Sequence, residues 1–230
     1  MSGHGSITTP TPEGFVPHKV AHHFDSHVQE YQSGKLVFWL FLATEIMLFG
    51  GLFAAYFAFH QLYPETFRVG GSQLDWRMGA LNTAILLSSS YTMAMGVRAA
   101  QLSQKRNMLI LLGLTVLGAA AFMVVKYFEY TGKFSHGIYP GIYFAPHGEY
   151  AAIFEGVEHA NIFFGLYFTM TGIHGLHVLI GAGLILWIMK RGAKGLYHRG
   201  HYLPVDLVGL YWHLVDLIWI FLFPLLYLVP

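Results

Sequence analysis

The sequence predicts an all-α membrane protein, a bundle of five transmembrane helices with the N-terminus in the cytoplasm and the C-terminus in the periplasm. Three observations predict it. Of 230 residues, 55% are hydrophobic and only 11% are charged, where a soluble domain carries about 25% charged residues. The apolar residues gather into five long runs, each near the roughly 20 residues that cross a bilayer. Aromatic residues make up 17% of the chain, and Trp and Tyr bunch near the run ends, as interfacial belts do.

Residues 1–35 form a polar tail with five histidines: His4, His18, His22, His23 and His27. It has no apolar core of the kind a secretory signal needs. A mobile or partner-docked tail and a weak metal-binding tail are both open readings. The transmembrane domain then fills residues 36–230, with spans expected at about 36–59, 78–97, 108–130, 155–190 and 205–229. The first span carries a single charge, Glu45, near its middle. The second has no charge but holds Asn82, Thr83 and the serine run from Ser88 to Ser90. The third runs into Lys126 and Glu129, three residues apart and so on one helix face. The fourth has no Asp, Glu, Lys or Arg from His159 to Met189. At about 1.5 Å per residue it exceeds a hydrocarbon core of about 30 Å, so it tilts or protrudes. The fifth is interrupted by His213 and Asp216.

Basic residues give the orientation. The tail and the two loops on its side hold Lys19, Lys35, Arg98, Lys105, Arg106, Lys190, Arg191, Lys194 and Arg199, and the other side holds Arg68, Arg77, Lys126 and Lys133. Nine against four puts the N-terminus in the cytoplasm. The longest outer connection, from about Phe128 to Tyr150, is rich in Gly and Pro and is expected to be irregular.

Composition excludes several chemistries. Net charge is +1, so nothing argues for nucleic acid, and the absence of cysteine removes disulfides, iron–sulfur ligation and thiolate metal sites. There is no phosphate-binding glycine loop, nucleophile elbow or zinc-protease motif. What remains are ionisable groups inside the membrane, which mark functional sites by default. Glu45 reads either as a proton-handling or gating group or as a protonated carboxyl bonded to a neighbouring helix. His174 and His177 share one face of the fourth helix, and His213 and Asp216 share one face of the fifth. An interhelical network of these four is expected, with a ligand or proton-relay pair as the sharper alternative. Two helices bearing histidines also make an axial haem pair conceivable, although the two separated His layers of a di-haem bundle are lacking. Glu155, Glu158 and His159 cluster at the outer start of the fourth helix, without the second half-site a carboxylate–histidine metal centre needs. No metal site and no catalytic residue is expected on this chain.

Five segments carry a family resemblance: FWLFLATEIMLFGGLFAAY around Glu45, LNTAILLSSS from Leu81, KYFEY from Lys126, TGIHGLHVLIG from Thr171 and YWHLVDLIWIFLF from Tyr211. From about Lys35 to the C-terminus the chain resembles subunit III of the haem–copper oxidases, of the cytochrome c oxidase type. The resemblance implies an accessory subunit of an aa3/caa3-type oxidase, which reduces oxygen to water and pumps protons. It implies no haem or copper on this chain, with haem a and copper in partner subunits. It implies direct packing on subunit I, subunit II and a small subunit IV nearby, bound phospholipid, and a respiratory supercomplex as a further setting. The place would be the bacterial plasma membrane. The carboxyl of Glu45 would match the buried acid of the first retained helix, in a subunit that sustains proton uptake and protects the catalytic centre beside a lipid-filled route for oxygen. Longer members have seven helices, and this chain resembles the form without the first two. Those two build one wall of the lipid cleft, so another subunit would have to supply it here. Quinol oxidases and nitric oxide reductases have similar subunits. Two readings of other classes stand beside it, a self-sufficient membrane haem protein and a small proton-coupled transporter. The transporter reading lacks inverted repeats or broken helices.

Overall fold

The computed structural model of the chain describes residues 11–16 and 27–228. Among the described residues the protein is all-helical, with no strand beyond an isolated bridge between His198 and His201. The helices are α1 (His27–Leu62), α2 (Pro64–Ser72), α3 (Trp76–Gln101), α4 (Lys105–Phe134), α5 (Glu149–Ile153), α6 (Ala160–Ala193) and α7 (Leu203–Tyr227). Four of them, α1, α4, α6 and α7, are long and apolar enough to cross a membrane. α3 has 26 residues, about 39 Å of helix, but its serines, Asn82, Thr83 and two arginines dilute its hydropathy.

Helix ends follow local chemistry. Asp75 caps α3, its carboxylate accepting from the Arg77 N–H at 2.9 Å. Proline opens α2 and α7, where its missing N–H costs nothing. α6 ends in basic residues, Lys190 and Arg191, which suit the negative end of a helix dipole.

The packing is a bundle of α3, α4, α6 and α7, with α1 and α2 against its side. Only 11% of the apolar stretch of α1 is buried within the chain, against 50% for α7. Leu36, Val37, Leu40, Ile46 and Met47 of α1 are all exposed. α1 is therefore the peripheral helix, and α7 the central one. Small residues set the close contacts. A Cβ at Gly118 of α4 would stand 2.8 Å from Ser89 Cβ of α3, and one at Gly181 of α6 would stand 2.9 Å from the Trp212 ring of α7. The absent side chains let those helix pairs approach.

Boundaries differ from expectation in three places. α1 starts at His27 rather than 36, and Lys35 within it pairs with Asp206 of α7 at 3.3 Å. α4 runs on to Phe134, through the first part of the expected irregular loop, because Lys126, Glu129 and Lys133 line a buried face of one continuous helix. α6 starts at Ala160 rather than 155, because His159 has a left-handed φ of 61° and breaks the chain direction. The segment between α4 and α5 bonds to itself, with Ala145 N–H on Gly137 O and His147 N–H on His136 O. Of the tail, residues 11–16 lie on the turn after α6, where the Val16 N–H donates to Gly195 O at 3.0 Å. His4, His18, His22 and His23 lie outside the described residues, as does the His27 side chain.

Candidate functional site

Glu45 of α1 meets His177 of α6. The carboxylate Oε2 lies 2.8 Å from His177 Nε2, and both side chains are largely covered, at 15% and 13% exposure. The other ring nitrogen, Nδ1, lies 2.7 Å from the backbone oxygen of Ile173. A carbonyl can only accept, so Nδ1 carries a hydrogen. One proton then serves the Nε2–Oε2 contact. It sits on the ring, giving an ion pair, or on the carboxyl, giving a neutral pair. Either way Glu45 and His177 form a unit that holds a single exchangeable proton. Phe49 packs edge-on against the imidazole at 5.4 Å, and the Tyr211 hydroxyl donates to His177 O at 3.1 Å. The tyrosine fixes the backbone of the turn that carries the ring.

A second cluster lies toward the C-terminal end of α4. Lys126 Nζ donates to Glu129 Oε2 at 2.9 Å and to the Tyr227 hydroxyl at 2.7 Å. Glu129 Oε1 accepts from Tyr167 at 2.7 Å and from Tyr227 at 2.5 Å. The ammonium also stands 4.8 Å from the Trp219 ring centre, a cation–π contact strengthened by desolvation. The Lys126 and Glu129 side chains are 6% and 3% exposed. Three helices, α4, α6 and α7, therefore meet on one fully engaged ion pair. Next to it, Tyr130 and Thr171 share a hydrogen bond at 2.6 Å.

The expected network of His174, His177, His213 and Asp216 does not form as one unit. His177 is committed to Glu45. His213 bonds through Nδ1 to the Ser90 hydroxyl at 2.6 Å. His174 is fully buried between the rings of Phe122, at 5.5 Å, and Trp219, at 5.1 Å, with neither nitrogen bonded to protein. The reason is geometric: α7 faces α3 along the side that carries His213, while His177 lies on the side of α6 covered by α1. Both His177 nitrogens are engaged, and His213 turns to α3 rather than to α6.

Asn82 is fully buried without a hydrogen-bond partner, whereas Thr83 accepts from the Trp219 indole at 3.0 Å. Glu155, Glu158 and His159 are exposed and precede α6 instead of sharing a face on it. The His159 ring packs at a tilt against Tyr63, 4.7 Å between centres, and the Glu158 backbone oxygen accepts from Thr66 at 2.6 Å. Among the described residues no three His, Asp or Glu side chains come together as a metal-ligating group. Sequence reasoning missed Tyr167, Tyr227 and Trp219, which complete the Lys126 cluster. Tyr227 is near a run end and reads as a belt aromatic, Tyr167 and Trp219 lie inside their runs, and no local signal marks their partners.

The match to known proteins spans this whole arrangement. The family model of cytochrome c oxidase subunit III matches residues 19–229. This chain belongs to the cytochrome c oxidase subunit III family. It is 32% identical to cytochrome c oxidase subunit 3 of Thermostichus vulcanus, over 88% of this chain and 91% of that one. It is 31% identical to the cytochrome c oxidase subunit 3 of a Synechocystis species, over 83% and 73%. It is 29% identical to a probable quinol oxidase subunit 3 of Staphylococcus haemolyticus, over 89% and 93%. A subunit III chain is one part of a multisubunit haem–copper oxidase, and this one is a multi-pass membrane protein.

Proposed function

We propose that the chain is the accessory, non-catalytic subunit III of an aa3/caa3-type cytochrome c oxidase in a bacterial plasma membrane. The complex reduces oxygen to water and couples this to proton translocation. In this reading subunit III sustains proton uptake and stabilises the complex. The observation that carries it is the Glu45–His177 pair, a one-proton unit on the least covered helix of a subunit III chain. That position puts an exchangeable proton within reach of whatever packs on α1.

The remaining parts of the reading follow. Haem a and copper belong to the partner subunits, and this chain supplies no ligand to them. Subunit I packs directly on it, with subunit II and a small subunit IV in the same complex. Phospholipid covers the exposed apolar side chains of α1, such as Leu36, Leu40 and Met47, and offers an apolar route for oxygen. α3 is the fifth span, and the nine-to-four distribution of basic residues puts the N-terminus in the cytoplasm. Residues 1–35 are the cytoplasmic tail.

The test is a reduced-minus-oxidised spectrum of material purified through the tagged chain in mild detergent. An a-type haem signal that leaves with harsher detergent is expected, and a b-type signal that stays with the isolated chain would overturn the reading. Glu45→Gln then tests the proton role. It should leave assembly intact while slowing proton supply or shortening turnover lifetime. Unchanged pH profile and lifetime would leave Glu45 a structural residue. A quinol oxidase is the second reading, favoured by the Staphylococcus relative named as one. Oxygen uptake driven by a quinol, and not by reduced cytochrome c, would select it.

A further inference from the structure

Three buried polar side chains of the bundle carry polar atoms without a well-formed hydrogen bond to protein, Asp216 having only the Ser90 hydroxyl beside it. They are Asn82 of α3, His174 of α6 and Asp216 of α7, with relative exposures of 0%, 0% and 3%. Both polar atoms of each are unbonded, six atoms in all. The register of the helices puts them together. Trp219 of α7 bonds to Thr83 of α3, and Trp212 bonds to Ser89, so α3 and α7 run antiparallel with 83 opposite 219 and 89 opposite 212. Asn82 is beside Thr83 and lies on the buried face of α3 with Leu86, Ser89 and Met93. Asp216 follows Trp212 by four residues and precedes Trp219 by three, so it lies on the same face of α7 as both indoles. The His174 ring is in contact with Trp219. Asn82 and His174 therefore lie at the level of Trp219, and Asp216 lies about one turn away along α7, toward Ser90.

Buried polar groups with no protein partner are met by ordered internal water, each molecule making about three hydrogen bonds. We propose that Asn82, His174 and Asp216 bind about two ordered water molecules at the core of the α3–α4–α6–α7 bundle. The Asn82 amide supplies donors and an acceptor. The His174 ring supplies one donor and one acceptor when neutral, and Asp216 supplies two oxygens. Ser90, whose hydroxyl bonds to His213, stands beside Asp216 on the α3 side. Lys126 stands on the other side, within electrostatic reach of His174. The water site thus lies between the Ser90–His213 contact and the Lys126–Glu129 cluster. It gives the bundle a hydrated core that none of its helices supplies alone.

The experiment is an electron cryomicroscopy map of the protein purified with its accompanying subunits, at a resolution that shows ordered water. Density for water within hydrogen-bonding distance of His174 and of Asn82 is expected. In the double variant Asn82→Leu/His174→Phe that density should be lost, and in Asp216→Asn it should persist. If the double variant does not assemble, the unaltered protein decides alone. Direct side-chain bonds among the three residues, a dry gap, or a cation with short ligand distances would each overturn the proposal.

Discussion

The two polar units of this bundle differ in how completely they are held. Lys126 and Glu129 are enclosed by Tyr167, Tyr227 and Trp219, and the hydroxyls that bond to them come from α6 and α7. Glu45 and His177 form a bare pair at the edge, with one proton between them and an aromatic ring beside them. The first is over-determined and behaves as a fastening. The second has slack, because either member can hold the proton without a change of partners. Similar groups in one membrane domain thus take opposite parts, according to how many neighbours fix them.

The most severe way to break the contrast is to remove half of the fastened pair. Glu129→Leu leaves Lys126 buried without its counter-charge and is expected to cost about 3–5 kcal/mol. Thermal unfolding of the purified complex should show it as early loss of this subunit. The double change Lys126→Met/Glu129→Leu should recover most of that loss, since a buried ion pair is often replaceable by apolar side chains of like volume. If the double variant is as unstable as the single one, the tyrosines rather than the charges hold the joint.

A smaller effect is expected on the edge side. Gly181→Val presses Trp212 and Tyr211, which stand 2.9 Å and 3.1 Å from the added Cβ position. Overpacking of this kind costs about 1–3 kcal/mol. It should disturb the Glu45–His177 side while the Lys126 cluster keeps its bonds. Tyr211→Phe removes only the hydroxyl bond to the His177 carbonyl, worth about 1 kcal/mol, and the melting temperature should fall correspondingly little. Glu45→Gln has the smallest expected effect on stability, below about 1 kcal/mol, because the glutamine amide can still donate to His177 Nε2. Infrared spectra of the complex should nevertheless lose one carboxyl or carboxylate signal. A melting shift as large as that of Glu129→Leu would mean that Glu45 is also a fastening.

Much of the site was legible residue by residue, and little of it as pairs. Glu45 stood out because a lone carboxyl in an apolar run has no local explanation. Lys126 and Glu129 stood out because three residues' spacing on one helix brings them together without knowledge of the fold. His174 and His177 share that spacing, yet they separate: one turns to α1 and the other to the bundle centre. Same-face spacing restricts direction only to a broad stripe, and two neighbouring helices can divide it. Tyr227 was unreadable as a partner of Lys126, because it lies 101 positions further along the chain.

By itself the sequence determined the membrane class, the approximate extent of the long helices and the family. Those depend on local hydropathy and on motifs within single segments, which lipid and backbone hydrogen bonding constrain helix by helix. The tertiary structure alone decided which helix is peripheral, which polar groups are paired and which face the centre unpartnered. Those depend on helix rotation and register, set by side-chain packing such as Trp212 over Gly181 and Trp219 against Thr83. A run of apolar residues fixes where a helix lies along the chain, but not which neighbour each of its faces will meet.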